Sequence, residues 1–112
     1  NAEDAANNFM PSPGRITAWR PPRGAGIRID SHCRDGYLVP PFYDSMIGKL
    51  IVTANDRDSA VERLTVALDQ FEINGITTNL PILRHIVRHP DFRANQISTR
   101  WLEQTVLPGF QN

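Results

Sequence analysis

The stretch that decides the fold is Gly26–Leu50, which reads GIRIDSHCRDGYLVPPFYDSMIGKL. It opens with isoleucines that alternate with charged residues, passes through a polar connection and ends in an apolar run. Because a strand sends successive side chains to opposite faces, Arg28, Asp30 and His32 are predicted to share one face, with the isoleucines towards the core. Such a charged face either holds its side chains in place for binding or catalysis, or it is an ordinary surface exposed to solvent.

Outward from this stretch, the chain predicts an α+β domain, with strands first and helices later. We expect a small antiparallel sheet packed with about three helices. The strands are predicted near residues 15–19, 26–32 and 48–54, and the helices near residues 56–71, 79–88 and 99–106. Asn55 and Asp56 are good residues to cap the first helix, and prolines stand mainly in the connections, where a strand tolerates them.

Each predicted helix has an apolar face that we expect to point into the core, because apolar residues recur at spacings of three and four. These residues are Val61, Leu64, Leu68 and Phe71 in the first helix, Leu83, Ile86 and Val87 in the second, and Trp101, Leu102, Thr105 and Val106 in the third.

Length and composition indicate one globular domain over residues 1–112. The 12 basic and 12 acidic residues cancel, so charge gives no reason to expect nucleic acid or a membrane as partner. A lone cysteine, Cys33, excludes an internal disulfide and fits a reducing compartment. No apolar run reaches the roughly 20 residues that span a bilayer, and none resembles a signal peptide. Because the chain starts at Asn1 without methionine, we expect a piece of a longer protein.

His85 and His89 form one candidate metal site, since a spacing of four places two imidazoles on one helical face. A third ligand and a glutamate between them are missing, and the flanking Arg84 and Arg88 disfavour a cation. We therefore interpret these side chains as partners of the negative end of the helix dipole, and we predict no metal site on this chain.

Ser31, His32, Cys33 and Asp35 are residue types used in nucleophilic catalysis. Neighbours along a strand point apart, however, and no Gly-x-Ser-x-Gly turn exposes a nucleophile, so a hydrolase is disfavoured. The run Gly24-Ala25-Gly26 precedes a strand, whereas a dinucleotide-binding loop follows one, so no nucleotide site is predicted.

Arg28 allows two interpretations. It can be a surface arginine paired with Asp30, two residues along the same face. It can also be a preorganised fork for a planar anion such as a carboxylate, bicarbonate or an enolate oxygen. Charge and periodicity alone do not separate these interpretations.

The segments around Arg28 closely resemble the C-terminal domain of biotin carboxylase. The resemblance lies in residues 26–32, 36–37 and 39–51, with further matching segments at residues 1–4, 9–16, 57–60 and 75–79 and at Leu68. It covers nearly the whole chain, and the run YDSMIGK at 43–49 is its most specific part.

The resemblance implies part of an ATP-grasp enzyme that uses ATP and bicarbonate to carboxylate N1 of biotin on a carrier protein. Arg28 matches the family arginine that reaches the active site from this domain. Its implied role is catalytic: it binds bicarbonate and biotin and stabilises the enolate oxygen of biotin. Asp30 would then orient the guanidinium or lie beside it. Tyr43, Asp44 and Lys49 are expected to build the fold and its interface with the rest of the enzyme.

The same resemblance implies the cofactors and partners. Biotin is the cofactor, while ATP and Mg²⁺ or Mn²⁺ are expected in an ATP-grasp region upstream of this chain. The expected partners are that region, a biotin carboxyl carrier protein or domain, a carboxyltransferase and a second copy in a homodimer. The chain by itself is expected to be inactive. The expected location is the cytoplasm, or the mitochondrial matrix in a eukaryote.

Several alternatives stay open. The chain can be a non-catalytic interaction or dimerisation module of the same fold, although the Arg28 motif is intact. An ATP-grasp carboxylase of purine biosynthesis is not expected to carry the YDSMIGK run. The acyl acceptor is undetermined among acetyl-CoA (in fatty acid biosynthesis), propionyl-CoA, methylcrotonyl-CoA, pyruvate and urea.

Overall fold

A computed structural model describes residues 1–110, and it has the predicted α+β class. The strands are β1 Glu3–Asp4, β2 Met10–Pro11, β3 Gly14–Arg15, β4 Ala18–Arg20, β5 Ile27–Asp30, β6 Leu38–Val39, β7 Lys49–Val52 and β8 Glu72–Asn74. The α-helices are α1 Arg57–Gln70, α2 Leu80–Arg88 and α3 Pro90–Arg93. A π-helical turn covers Leu102–Val106, and 3-10 turns cover Ala5–Asn7 and Leu107–Gly109.

The described strands pair as four antiparallel ladders: β1–β2, β3–β6, β4–β8 and β5–β7. The strand predicted at 15–19 is divided, because its backbone changes partner in the middle. The amide of Ile16 donates to the carbonyl of Tyr37 at 2.9 Å, and the amide of Thr17 donates to the carbonyl of Asn74 at 2.8 Å. The chain therefore leaves β6 and joins β8 within two residues, a switch that side-chain alternation does not reveal.

Helix α1 follows the sequence closely. The Asp56 carboxylate accepts from the amide of Ser59 at 2.7 Å and caps its first turn. The predicted stripe faces inward, with Val61, Leu68 and Phe71 buried and Leu64 half-buried.

Helix α2 buries two residues outside the predicted stripe, Leu80 and Ile82. Val87 is buried and Leu83 and Ile86 are half-buried, as expected, but the most enclosed side chain of the helix is Ile82, which is only 2% exposed. Ile82 belongs to a second cluster with Trp101 and Val106. Helix α2 therefore packs on two sides, and its apolar surface is wider than the single predicted stripe.

The C-terminal helix predicted at 99–106 is a π-helical turn, and the prediction that Thr105 faces the core is wrong. Trp101 and Val106 are buried, while Thr105 is exposed. A π-helix bonds residues five apart, so Trp101 and Val106 share a side and Thr105 rotates to solvent. The short helix α3 was not predicted; it begins at Pro90, which suits a first helical position.

Three apolar clusters form the core of the described residues, 1–110, and Trp19 and Ile73 pack against two of these clusters. The Trp19 and Phe71 rings meet edge to face with centroids 5.2 Å apart, which joins β4 to the end of α1. Ile29 of β5 and Leu50 of β7 pack against the cluster formed by Leu68, Phe71, Leu80 and Val87. None of the helices within residues 1–110 combines the length and apolarity needed to cross a membrane.

Candidate functional site

The β5–β7 ladder presents the charged face that the sequence predicts. Its antiparallel register places Arg28 opposite Ile51 and Asp30 opposite Lys49. Directly opposed residues of a ladder share a face, and all four of these side chains are exposed. The alternate residues Ile27, Ile29, Leu50 and Val52 are half-buried, and Ile29 and Leu50 pack against the cluster that includes Leu68 and Val87. The inner face thus fixes the ladder, and the outer face displays two cations, one anion and one apolar side chain.

Arg28 and Asp30 form a two-point ion pair along one strand. Arg28 Nε donates to Asp30 Oδ1 at 2.9 Å, and Arg28 Nη2 donates to Asp30 Oδ2 at 2.8 Å. The side chains remain 70% and 44% exposed. A guanidinium carries five N–H donors in one plane, and this pairing occupies its Nε–Nη2 edge. The Nη1–Nη2 edge is left for a second planar anion.

The electrostatics keep this pair ionised. The hydrogen bond from Arg28 lowers the pKa of Asp30 below its ordinary value, and the nearby charges of Arg28 and Lys49 act in the same direction. The bond to Asp30 raises the pKa of Arg28 in turn. With Lys49 opposite Asp30, the three charges sum to one net positive charge, so the face still attracts an anion.

His32 does not join Arg28 and Asp30. Strand β5 ends at Asp30, two residues before the predicted end, and the His32 ring contacts Tyr37 instead, with Nε2 3.1 Å from the hydroxyl oxygen. The reason is Ser31, whose hydroxyl donates to the carbonyl of Ile47 and accepts from the amide of Cys33 at 3.0 Å. These bonds turn the chain away from the ladder, so the alternation stops before His32.

The residues that could have formed a catalytic triad have separate structural partners. The Asp35 carboxylate accepts from the amide of Trp19 at 2.7 Å, while Ser31 and His32 make the contacts given above. Partial burial raises the pKa of the Cys33 thiol, which disfavours the nucleophilic thiolate. The structure thus does not bring these side chains together as a hydrolase site.

Gly26, which directly precedes β5, has a structural role in the backbone. Gly26 has a φ of +74°, and a Cβ there would meet the carbonyl oxygen of Thr53 and the guanidinium of Arg63. Its own carbonyl accepts from the amide of Thr53 at 2.8 Å, which closes the β5–β7 ladder. Gly26 therefore allows a close approach between two backbone segments.

His85 and His89, the two candidate metal ligands, have different positions at the end of α2. Their ring centroids are 6.3 Å apart, and His89 Nδ1 accepts from the amide of Asp91 at 3.1 Å. His85 lies in the last turn of α2, as the dipole interpretation expects, whereas His89 lies beyond it and caps α3. Within residues 1–110, no three His, Cys, Asp or Glu side chains are grouped to hold a metal ion.

The YDSMIGK run combines a turn with an exposed apolar surface. The Asp44 carboxylate accepts from the amide of Met46 at 2.8 Å and shapes the turn. Phe42 and Tyr43 are 89% and 79% exposed, so neither ring packs in the core of this chain. Asp44 and Lys49 thus have places in the local structure, while Tyr43 contributes surface.

Sequence reasoning related Arg84 to the dipole of its own helix and missed its contact with the end of α1. Its guanidinium donates to the carbonyls of Leu68 at 2.9 Å and Phe71 at 2.7 Å, so it satisfies the C-terminal end of α1 from α2. The available signal was the absence of a basic residue in the last turn of α1 together with an arginine on the next helix.

Comparisons with known proteins point to one family. The family model described as biotin carboxylase C-terminal domain matches residues 1–104. Biotin carboxylase 1 of Bacillus subtilis (strain 168) is 45% identical over 103 residues, which are 92% of this chain and 23% of that protein. Biotin carboxylase of Pseudomonas aeruginosa is 43% identical over 104 residues, which are 93% of this chain and 23% of that protein.

Solved structures show the same fold. The biotin carboxylase domain dimer of Hydrogenobacter thermophilus 2-oxoglutarate carboxylase, in complex with MgADP, ADP and bicarbonate, superposes with a TM-score of 0.93 at 40% identity, covering 100% of this chain and 25% of that chain. The complete multifunctional pyruvate carboxylase from Rhizobium etli superposes with a TM-score of 0.92 at 38% identity, covering 99% of this chain and 11% of that chain.

The chain spans about a quarter of the length of the curated biotin carboxylase that it matches at 45% identity, 23% by coverage. The family match covers nearly all of the described residues, including the ladder that carries Arg28 and Asp30. The chain belongs to the biotin carboxylase C-terminal domain family.

Proposed function

We propose that this chain forms, as one domain over residues 1–112, part of a biotin carboxylase and that Arg28 acts in its active site. The reaction is the ATP-dependent carboxylation of biotin on a carrier protein. The observation that carries the proposal is the Arg28 guanidinium, which stands on a strand with its Nε–Nη2 edge held by Asp30 and its adjacent Nη1–Nη2 edge free of partners within residues 1–110.

The free edge suits the anions of this reaction. Bicarbonate is planar, and two of its three oxygens match the spacing of the two Nη donors. The ureido oxygen of biotin gains negative charge when N1 loses its proton, and the same donors can stabilise that charge. A fixed cationic fork is worth most for such charge where a neighbouring domain excludes water.

The remaining chemistry is assigned to other parts of the enzyme. Within residues 1–110, no three His, Cys, Asp or Glu side chains are grouped to hold Mg²⁺ or Mn²⁺. We propose that an ATP-grasp region outside this chain binds ATP and the metal ion. Arg28 contributes binding and charge stabilisation, and no metal-dependent step is assigned to this domain.

The proposed partners are that region, a biotin carboxyl carrier protein or domain, a carboxyltransferase and a second copy of the same enzyme. The proposed acceptors are acyl-CoA esters, as in fatty acid biosynthesis, or pyruvate. The inclusion of pyruvate is supported by the similarity to the pyruvate carboxylase from Rhizobium etli. The proposed location is the cytoplasm, or the mitochondrial matrix in a eukaryote.

Arg28→Ala in the full-length enzyme tests the catalytic assignment. Biotin-dependent fixation of labelled bicarbonate should fall roughly 100- to 1,000-fold, the usual effect of removing a donor that stabilises developing negative charge. Nucleotide affinity, measured by calorimetry, should stay unchanged because Arg28 contacts no nucleotide in this proposal. Arg20→Ala is the control, since Arg20 forms an exposed ion pair on another ladder. Full carboxylation by the Arg28 variant would refute the assignment.

The exposed Phe42 and Tyr43 rings support a second candidate, a non-catalytic interaction module. Under that alternative, Arg28→Ala leaves carboxylation intact, while substitution of the rings disrupts assembly. Incubation of the 112-residue chain with ATP, bicarbonate and free biotin gives a further check. We expect no ATP turnover, and turnover would show that the chain holds a complete active site.

A further inference from the structure

The role of Asp30 goes one step beyond the assignment of Arg28. We propose that Asp30 is a positioning residue that holds the Arg28 guanidinium so that its Nη1–Nη2 edge faces the substrate anion. This inference rests on the proposed function, because it gives Asp30 a role only through Arg28. It concerns the orientation of a cation that the reaction uses, and not the stability of the domain.

The first support is the contact geometry. Asp30 is two residues from Arg28 on the same strand face, and both of its oxygens accept from the guanidinium, at 2.9 Å and 2.8 Å. Two parallel bonds fix the plane and rotation of the guanidinium, whereas a single bond leaves it free to swivel. Because the Arg28 side chain is 70% exposed, no packing replaces this restraint.

The second support is the edge of the Arg28 guanidinium that the two hydrogen bonds to Asp30 occupy. Asp30 takes the Nε–Nη2 edge, which lies beside the arginine stem. The edge at the tip of the side chain, Nη1–Nη2, therefore points away from the strand with its donors available. An acceptor bound at the Nη1–Nη2 edge would block the anion site. The observed pairing therefore orients the Arg28 guanidinium and leaves these donors for the substrate anion.

The third support is the charge balance. A carboxylate beside a catalytic arginine weakens its attraction for an anion, but Lys49 stands opposite Asp30 in the ladder register. Lys49 offsets the Asp30 charge, and the face keeps one net positive charge. Asp30 can therefore orient Arg28 at little cost to the attraction of bicarbonate.

A double-mutant cycle in the full-length enzyme tests the proposal. The variants are Arg28→Ala, Asp30→Ala and the double substitution, with kcat and the KM for bicarbonate measured for each. We expect Asp30→Ala to lower kcat by roughly 10- to 100-fold, as misplacement of a catalytic group does, with little change in KM. The double variant should be no slower than Arg28→Ala, because a residue that acts only through Arg28 has no effect once Arg28 is gone.

Glu72→Ala is the matched control. Glu72 forms an ion pair with Arg20 on the β4–β8 ladder, and these side chains are about as exposed as those of Asp30 and Arg28. No substrate role is assigned to Glu72. Its loss should leave kcat unchanged, which separates the loss of an orienting carboxylate from the loss of a surface charge. If Asp30→Ala fails to fold, Asp30→Asn takes its place in the cycle, since it keeps the shape and removes the charge and one acceptor.

The outcomes separate the two proposals. A normal kcat for the Asp30 variant together with an inactive Arg28→Ala enzyme overturns the positioning role and leaves the function of Arg28 in place. A double variant slower than Arg28→Ala also overturns it, because Asp30 would then act independently. A change in KM alone overturns it as well. Full activity of Arg28→Ala refutes the proposed function itself.

Discussion

Two ladders of this domain each carry an exposed arginine paired with a carboxylate. On β5–β7, Arg28 pairs with Asp30, and their side chains are 70% and 44% exposed. On β4–β8, Arg20 pairs with Glu72 at 3.0 Å, and their side chains are 65% and 47% exposed. Residue types and exposure are thus nearly the same, so neither quantity distinguishes a functional pair from a structural one.

The geometry of the two pairs differs. Arg20 and Glu72 are directly opposed in the register, so their bond joins two strands, and Glu72 also accepts from the Asn74 side chain at 2.9 Å. Arg28 and Asp30 lie on one strand, so the hydrogen bonds between them do not cross the ladder. A cross-strand pair supports the sheet, whereas a pair within a strand only arranges its own side chains. The proposed role in ligand binding therefore falls to the β5–β7 pair.

The largest expected effect concerns the apolar residues beneath the two pairs. Trp19 of β4 packs against two core clusters and Phe71, while Ile29 of β5 packs against one cluster. Trp19→Ala should lower the free energy of unfolding by about 3 kcal/mol and Ile29→Ala by about 2 kcal/mol, in line with large-to-small core substitutions. Urea unfolding of the chain measures both. A larger loss for Ile29→Ala would contradict the view that β4–β8 is the more structural ladder.

The next effect concerns the arginines themselves. Arg28→Lys in the full-length enzyme should lower kcat about 100-fold, because an ammonium cannot bind Asp30 and present a second planar edge. Arg20→Lys should leave kcat unchanged, since a point charge still pairs with Glu72 across the ladder. Steady-state carboxylation assays compare the two variants. Equal losses would show that the position of the arginine on β5 has no special role.

A smaller effect concerns the acid titration of the two carboxyl groups. The bond from Arg28 lowers the pKa of Asp30 below its ordinary 3.8, and the bond from Arg20 lowers the pKa of Glu72 below its ordinary 4.5. Since each pKa is lowered in the folded chain, the stabilisation from each pair is complete above the ordinary pKa and is lost as the pH falls through the lowered value.

Carboxyl-carbon NMR titration of two variants separates these pairs. Arg28→Met should return the pKa of Asp30 most of the way to its ordinary value and leave that of Glu72 unchanged. Arg20→Met should leave Asp30 unchanged and return the pKa of Glu72 only part of the way, because the hydrogen bond from the Asn74 side chain remains. The small remaining shift of Asp30 is the balance between desolvation, which raises its pKa, and Lys49, which lowers it. Asp56 is the internal control, because the amide of Ser59 lowers its pKa independently of both arginines. Movement of both carboxyl groups in one variant would mean that the two ladders are electrostatically coupled.

The smallest effect concerns thermal stability. Asp30→Asn should leave the unfolding midpoint unchanged within error, and Glu72→Gln should lower it slightly, because only the second change removes a link between strands. Exposed ion pairs contribute little to stability, so both shifts stay small. Scanning calorimetry of the two variants measures them. A clear fall for Asp30→Asn would indicate that Asp30 supports the fold and would weaken the contrast between the ladders.

The sequence was sufficient where the cause was local. The stripe of α1 and its Asp56 cap depend on helical spacing and on a side chain that reaches its own first turn, and both are confirmed. The pairing of Arg28 with Asp30 also follows from a period of two along one strand. Each of these features is decided within a few residues, so the pattern of the chain contains the information.

The sequence failed where distant segments compete for the same backbone. Nothing near residues 15–19 shows that their partners change from β6 to β8, and nothing near Thr105 shows that a π-helical turn rotates it to solvent. His32 was placed one step too far along the face, since the bond from Ser31 to the carbonyl of Ile47 ends the strand. These outcomes depend on partners that are far away in the chain.

The sequence by itself determined the class of the domain, its main helices and the alternation that puts Arg28 and Asp30 on one face, because these follow from residue periodicity. Its motifs also indicated the family that the comparisons then established. Only the tertiary structure decided that Asp30 occupies one edge of the Arg28 guanidinium and that Lys49 stands opposite it. The physical reason is that a hydrogen-bond edge and a cross-strand register are set by rotamers and by pairing between remote segments, which no local pattern encodes.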